Sequence, residues 1–113
     1  MHAQLLVFDG PRSAELVAAA DLADRRRIKP LLEAHPAVHD DIVARYDLRQ
    51  PDGGRAMLVV SGSESTLDAM IELIMTSELL PGEDPRLLPG PSRAERYVVA
   101  EAVVTRALGT GAR

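Results

Sequence analysis

The sequence predicts an α+β fold in the order βαββαβ, and three observations support this prediction. Four short runs have the apolar or alternating pattern of strands, at residues 3–8, 41–49, 55–61 and 95–105. Two stretches between them carry apolar residues at helical spacing. The second and third strands are joined by a Pro-Asp-Gly-Gly run, which is typical of a hairpin turn. We therefore expect a four-stranded antiparallel sheet with both helices on one face.

The first half begins with a short strand that ends at the turn residues 9–11. Ser13 can cap the following helix, which we expect to reach about Arg27. Pro30 disfavours helical geometry at Lys29 but suits the first turn of a new segment. A second helical piece over residues 30–34, after a kink, is therefore predicted.

The second strand alternates between apolar and charged side chains, which indicates one buried face. The predicted buried residues are Ile42, Ala44, Tyr46 and Leu48. After the third strand, Ser63 or Ser65 can cap a second helix that ends near Thr76.

Residues 79–91 contain four prolines and the tetrapeptide Leu-Leu-Pro-Gly twice, which predicts a stiff loop without a long helix. It either covers a pocket between helices and sheet or lies as an arm on a second subunit, and we favour the arm. The last strand is apolar on both faces, so we expect it to be buried on both sides. The whole order is that of the ferredoxin-like fold.

Composition limits the function classes. The 113 residues, 46% hydrophobic and 27% charged, suit one domain over residues 1–107 with a flexible tail at 108–113. A net charge of -4 and 3% aromatic residues argue against nucleic-acid binding. The one basic cluster, Arg25 to Arg27 with Lys29, lies among acidic residues and suits a solvated face. The absence of cysteine excludes disulfides and thiolate chemistry.

The N-terminal apolar run stops at Asp9, too early for a signal sequence or a membrane span. We therefore expect a cytoplasmic protein that binds no membrane. Arginine exceeds lysine and asparagine is absent, a bias that suggests a GC-rich bacterial genome.

Over residues 1–105 the chain resembles the dimeric α+β barrel superfamily, and within it the antibiotic-biosynthesis-monooxygenase-like branch. The resemblance rests on the short first strand, the hairpin at 43–60, the Ser-Gly-Ser-Glu-Ser-Thr exit into the second helix and the proline-rich approach to the last strand. It implies two sheets facing each other across a two-fold axis, with the last strand or its preceding loop embracing the partner. Members of the branch include cofactor-independent oxygenases of polycyclic aromatic substrates and haem-degrading proteins.

The amino-acid pattern itself also favours a homodimer. The sheet face without helices is expected to be apolar, and a large exposed apolar patch calls for a partner. Its members are Leu6 and Phe8, or their neighbours Leu5 and Val7, together with Val59 or Val60 and the last strand.

Gln4, Arg45 and Glu101 alternate with apolar neighbours and would converge if the first, second and last strands lay together. Arg45 would then bind an enolate or carboxylate, and Glu101 or His39 would accept a proton. The alternative is an ion pair that fixes the register of a dimer. The only phenols, Tyr46 and Tyr97, would orient an aromatic ligand or else pack in the core.

His35, His39 and Asp41 offer a metal-ligand spacing, but Pro36 interrupts the helix that this spacing requires. We therefore expect no metal and no cofactor, and a polar connection in which the aspartates cap or face water.

Our leading hypothesis is a homodimer of bacterial secondary or aromatic metabolism that binds a small aromatic or polyketide-like molecule. Its activity would be that of a cofactor-independent monooxygenase, isomerase or cyclase. The alternative is a non-catalytic dimerisation or accessory module, which would contain no cavity of roughly 300 Å³ or more.

Overall fold

The computed structural model describes residues 1–106 and confirms the predicted sheet. Its order is β2-β3-β1-β4, and every neighbouring pair is antiparallel. The strands are β1 (His2–Phe8), β2 (Ile42–Arg49), β3 (Arg55–Ser61) and β4 (Arg93–Val98). This order, with the helices on one face, is the ferredoxin-like arrangement. The predicted tail at 108–113 and the domain end at 107 lie outside the described residues.

The first helical layer is continuous rather than divided into two pieces, because a π-helical turn accommodates the proline. Helix α1 (Ala14–Ala23) is continued by a π-helical segment (Asp24–Ile28) and by α2 (Lys29–Glu33). The N–H of Lys29 donates to the carbonyl of Asp24, five residues earlier, just before Pro30 removes a donor. A further single turn that the sequence pattern did not predict, α3 (Pro36–His39), precedes β2.

Two local predictions from turn and cap chemistry are confirmed. The hydroxyl of Ser13 accepts the N–H of Leu16 at 3.1 Å, which caps α1. In the β2–β3 hairpin, Gly53 has a φ of 91° and a side chain there would meet the carbonyl oxygen of Arg12, so only glycine suits the turn.

Helix α4 (Glu64–Thr76) supplies the centre of the core. Five buried side chains from α2, α3, α4 and β3 pack together: Leu32, Val38, Val59, Leu67 and Met70. A short 3-10 turn (Pro85–Leu87) interrupts the loop between α4 and β4. Among residues 1–106, none of the helices has the length and apolarity needed to cross a bilayer.

The buried face predicted for β2 is wrong beyond its first residue. The β2–β3 register shifts between Ile42 and Ala44, which marks a β-bulge. Because an extra residue reverses the side-chain alternation, Ile42 packs against the core whereas Tyr46 and Leu48 lie on the helix-free face. Tyr46 and Leu48 are 39% and 50% exposed, and Arg45 faces the helices instead.

The last strand also differs from the prediction. β4 begins at Arg93 and ends at Val98, because Val98 is already paired with His2 at the start of β1. Residues 99–104 follow without regular structure, and Val103 and Val104 are 73% and 78% exposed. The expectation of a strand to residue 105 that is buried on both sides is therefore wrong within the described chain.

Candidate functional site

A cavity of about 450 Å³ lies between the helices and the sheet. Strands β1 and β3 form its floor, and α1, the π-helical segment, α2 and α4 form its walls. Most of the lining is apolar and includes Leu6, Phe8, Met57, Val59, Met70 and Ile74. A cavity of this size and polarity is within the range that small-molecule ligands occupy.

The proline-rich loop 79–91 closes one side of this cavity. The loop lines the cavity with Leu79, Pro85 and residues 87–91. The loop contributes to the pocket of its own chain, and the preferred interpretation as an arm on a second subunit stays a prediction. The structure favours the other alternative, a cover over the cavity.

Arg45 is the arginine of the cavity lining whose guanidinium has a buried donor without a hydrogen-bond partner in the described chain. Its Nη2 lies 3.3 Å from Oδ1 of Asp24, and its Nε is buried without a partner among residues 1–106. Leaving a buried donor unpaired costs about 1–3 kcal/mol, so an acceptor placed here by a ligand would be favoured. The bulge in β2 is what directs Arg45 toward the helices.

The other three arginines that line the cavity are already engaged. Arg27 donates to Glu83 and to Ser77. Arg55 donates from Nε to Asp47 at 2.9 Å. Arg12 donates to the carbonyl of Gly53, and its guanidinium lies 5.4 Å from the ring centroid of Phe8, a cation–π distance.

Asp24 is the only carboxylate among the lining residues. Its two oxygens lie near two cations, with Oδ1 at 3.3 Å from Arg45 and Oδ2 at 3.6 Å from Nζ of Lys29. Its side chain is 17% exposed. The cavity therefore combines an apolar interior with a guanidinium and a carboxylate side by side.

The expected convergence of Gln4, Arg45 and Glu101 does not occur within the chain. β2 and β4 are the two opposite edges of the sheet, so their residues are separated by β3 and β1. Gln4 is buried, donates to the carbonyl of Glu95 and accepts from Nε of Arg96 at 2.7 Å. Glu101 is exposed, three residues beyond the end of β4.

The remaining predicted site residues also lie outside the cavity lining. His39 is half-exposed in α3, with Nδ1 at 3.3 Å from Oδ1 of Asp40. Tyr46 and Tyr97 lie on the helix-free face of the sheet. The hydroxyl of Tyr97 donates to Glu95 at 2.6 Å, and this hydrogen bond raises the pKa of Tyr97. The roles assigned to these residues from the sequence remain predictions.

The connection between α3 and β2 has the polar, capping role that we expected. Asp41 accepts hydrogen bonds from the hydroxyls of Thr66 and Ser63 and from the N–H of Ser63, which lower its pKa. Of the two predicted cap candidates, Ser63 is the N-cap residue of α4, but its hydroxyl bonds to side chains rather than to the helix backbone. His35 bonds instead to the carbonyl of Leu31, and residues 1–106 contain no group of three acidic or histidine side chains arranged for a metal.

Sequence reasoning missed Asp24, Arg27 and Glu83. Arg27 was interpreted as part of a solvated basic cluster, yet it is spaced four residues from Ala23 and seven from Ala20, on the cavity-lining side of the helix. That spacing was the signal available in the sequence. The pairing of Arg27 with Glu83, fifty-six residues later, had no local signal.

Comparisons with known proteins identify the fold. No known protein family and no curated protein matches the sequence. One similar solved structure is a dimeric ferredoxin-like protein from an uncultured marine organism, with 15% identity, a TM-score of 0.64 and 92% of each chain covered. Another is an uncharacterized NIPSNAP domain protein from Burkholderia xenovorans, with 12% identity and a TM-score of 0.50, covering 95% of this chain and 100% of that one.

These likenesses show a ferredoxin-like α+β fold. The narrower resemblance to the antibiotic-biosynthesis-monooxygenase-like branch stays a prediction.

Proposed function

We propose that this protein is a homodimer that binds an apolar small molecule in the cavity between its helices and its sheet. The observation that carries the proposal is the cavity of about 450 Å³, with apolar walls and the partly unpaired guanidinium of Arg45. Its volume exceeds the roughly 300 Å³ at which ligand pockets begin.

The helix-free face of the sheet supports dimerisation. Leu5, Leu58 and Val60 on its two central strands are aliphatic and half-buried, and Leu48 on the edge strand β2 is 50% exposed. A contiguous apolar surface on a soluble domain favours a partner, and two-fold pairing of one surface with itself is the commonest solution. The similar marine protein is described as dimeric.

The cavity is compatible with such a dimer, because the two surfaces lie on opposite sides of the sheet. Pairing through the helix-free face would leave the helix-side cavity unfilled. This geometry disfavours the alternative of a non-catalytic module with a solid interior.

The proposal extends to catalysis without a cofactor, by an oxygenase, isomerase or cyclase. Such reactions need a group that stabilises an anion and a nearby base in a water-poor site. Arg45 and Asp24 are the two groups in the cavity that suit these roles. We favour Asp24 as the base over Glu101 and His39, because both of the latter lie outside the cavity lining.

Thermal unfolding in the presence of small aromatic and aliphatic compounds tests the binding function. A ligand at 100 times its Kd adds about 2.7 kcal/mol to the free energy of unfolding, which is readily seen as a higher Tm. Ala20 lines the cavity, so Ala20→Phe should abolish the shift; Ala18→Phe, on the exposed side of the same helix, should keep it. The absence of any shift across the panel would refute the proposal.

A further inference from the structure

We infer that the ligand of this cavity is an apolar molecule with a single carboxylate, and that Arg45 binds that carboxylate. The inference rests on the proposed binding function and adds the chemical class of the ligand. Three properties of the cavity lead to this inference: the unused hydrogen-bond donors of Arg45, the excess of positive charge along the lining, and the apolar character of the remaining lining.

The guanidinium of Arg45 is incompletely used. A guanidinium has five N–H donors. The structure shows one contact, from Nη2 to Asp24 at 3.3 Å, which is longer than the roughly 2.7–2.9 Å of a strong charge-assisted hydrogen bond. The Nε is buried without a partner among residues 1–106, and the side chain is only 26% exposed. Neighbouring N–H groups of one guanidinium match the two oxygens of a carboxylate.

The charge along the cavity favours an anion. Four arginines line it, and the carboxylates that contact them belong to Asp24, Glu83 and Asp47. Among these seven groups one positive charge is left in excess, and Lys29, outside the lining, is a second cation beside Asp24. Arg27 and Arg55 each have a carboxylate at 2.9 Å, whereas Asp24 is 3.3 Å from Arg45 and is shared with Lys29, so the excess falls to Arg12 and Arg45. Of these two, Arg12 stacks on Phe8 and donates to a backbone carbonyl.

The rest of the lining limits the ligand to one charge. The side chains around the cavity are otherwise almost all aliphatic, proline or methionine, with Ser77 as a polar exception. A phosphate dianion would bring more negative charge than the one positive charge left in excess along the lining can compensate, and desolvating the surplus charge is costly. A sugar or nucleotide would leave its hydroxyls unpaired against these walls. A ligand with a carboxylate on an apolar body matches both the guanidinium of Arg45 and the apolar walls of the cavity.

Three ligands with the same chain and different head groups test the inference: decanoate, 1-decanol and decylamine. Binding is measured by isothermal titration calorimetry below the micelle concentrations. We expect decanoate to bind at least about tenfold more tightly than 1-decanol, which corresponds to about 1.4 kcal/mol. Decylamine should bind most weakly.

Variants assign the effect to Arg45. Arg45→Gln should weaken decanoate binding at least about tenfold and leave 1-decanol binding unchanged, since neutral ligands use only the apolar walls. The matched control is Arg25→Gln, an exposed arginine outside the cavity lining, which should change neither. Asp24→Asn, which removes the carboxylate that competes for Arg45, should strengthen decanoate binding, and it serves as the test if Arg45→Gln does not fold.

The outcomes separate the two proposals. If 1-decanol binds as tightly as decanoate, or if Arg45→Gln retains full decanoate affinity, the carboxylate inference is wrong while the binding function stands. If none of the three ligands binds and the aromatic panel fails as well, the binding function itself is wrong.

Discussion

The Nε of Arg27 lies 2.9 Å from Oε2 of Glu83, in an ion pair whose two side chains are only 10% and 7% exposed. Arg27 belongs to the π-helical segment and Glu83 to the loop that covers the cavity. The same arginine donates to Ser77 at 2.7 Å, and Glu83 accepts the N–H of Leu80 at 2.6 Å. The buried ion pair and the hydrogen bonds of its two members therefore hold the first part of the loop, from Ser77 to Glu83, against the helical layer.

We predict that Glu83→Gln loosens this loop. The neutral amide leaves the charge of Arg27 partly uncompensated in a buried position, and hydrogen bonds to charged groups contribute about 1.5–3 kcal/mol. Amide hydrogen exchange over residues 79–91 should therefore become about tenfold to a hundredfold faster. The control is Glu78→Gln, which removes the exposed neighbouring carboxylate and should leave exchange unchanged. Equal exchange in the two variants would mean that the ion pair does not hold the loop.

The same pair predicts a pH dependence of stability. Burial alone would raise the pKa of Glu83, but the hydrogen bonds from Arg27 and Leu80 outweigh it and place the pKa below its ordinary value of 4.5. A carboxylate with a lowered folded-state pKa stabilises the fold above the unfolded pKa, and that contribution is lost as the pH falls through the folded pKa.

Urea unfolding of the wild type and Glu83→Gln at several pH values isolates this contribution, because other titrating groups cancel in the difference. The wild type should be more stable at neutral pH, and its advantage should shrink once the pH falls below 4.5. An advantage that stayed constant into the acid range would show that the ionisation of Glu83 contributes nothing.

The order of elements could be predicted from the sequence because it depends on local signals. Ser13 marks the start of α1, and Gly53 supplies the positive φ that the hairpin requires. The length of β4 could not be predicted in this way. A strand ends where its neighbour ends, and the pairing of Val98 with His2 is a property of the assembled sheet.

The candidate site was only partly predictable, because its geometry also depends on how the elements assemble. Arg45 was selected as a polar residue on an apolar strand and does line the cavity, but the bulge near Val43 decides which face it occupies, and a shift of one residue exchanges Arg45 with Tyr46. Nothing in the alternation of β2 indicates that bulge. The pairing of Arg45 with Asp24 depends on how the helical layer crosses the sheet. No residue pattern within β2 or within the helical layer indicates that crossing.

Filling the cavity should have opposite effects on stability and binding. Ala20 lies on α1 and lines the cavity, so Ala20→Phe would place an aromatic ring in the space of a ligand. Burying that ring should raise the free energy of unfolding by about 1–2 kcal/mol, because an apolar side chain gains about 1.5–3 kcal/mol and overpacking removes part of it. Ala18→Phe should change stability little. A marked loss of stability in Ala20→Phe would mean that the space is smaller or more rigid than the structure indicates.

The dimer proposed here should depend on the centre of the helix-free sheet face. Leu58 pairs with Leu5 on one neighbouring strand and Tyr46 on the other, so Leu58→Glu places a carboxylate in the middle of that face. Burying an unpaired charge costs at least about 3 kcal/mol, which weakens association by about a hundredfold or more.

Sedimentation velocity should then show a monomer for Leu58→Glu and a dimer for the wild type. Ala18→Glu, a matched charge on the exposed face of α1, should remain dimeric. The monomeric variant should keep its circular dichroism spectrum, because Leu58 faces away from the core that α4 forms with β3. Since the cavity lies on the other side of the sheet, the monomer should also retain ligand binding. Binding that disappears with the dimer would instead show that the second subunit holds the cavity in shape.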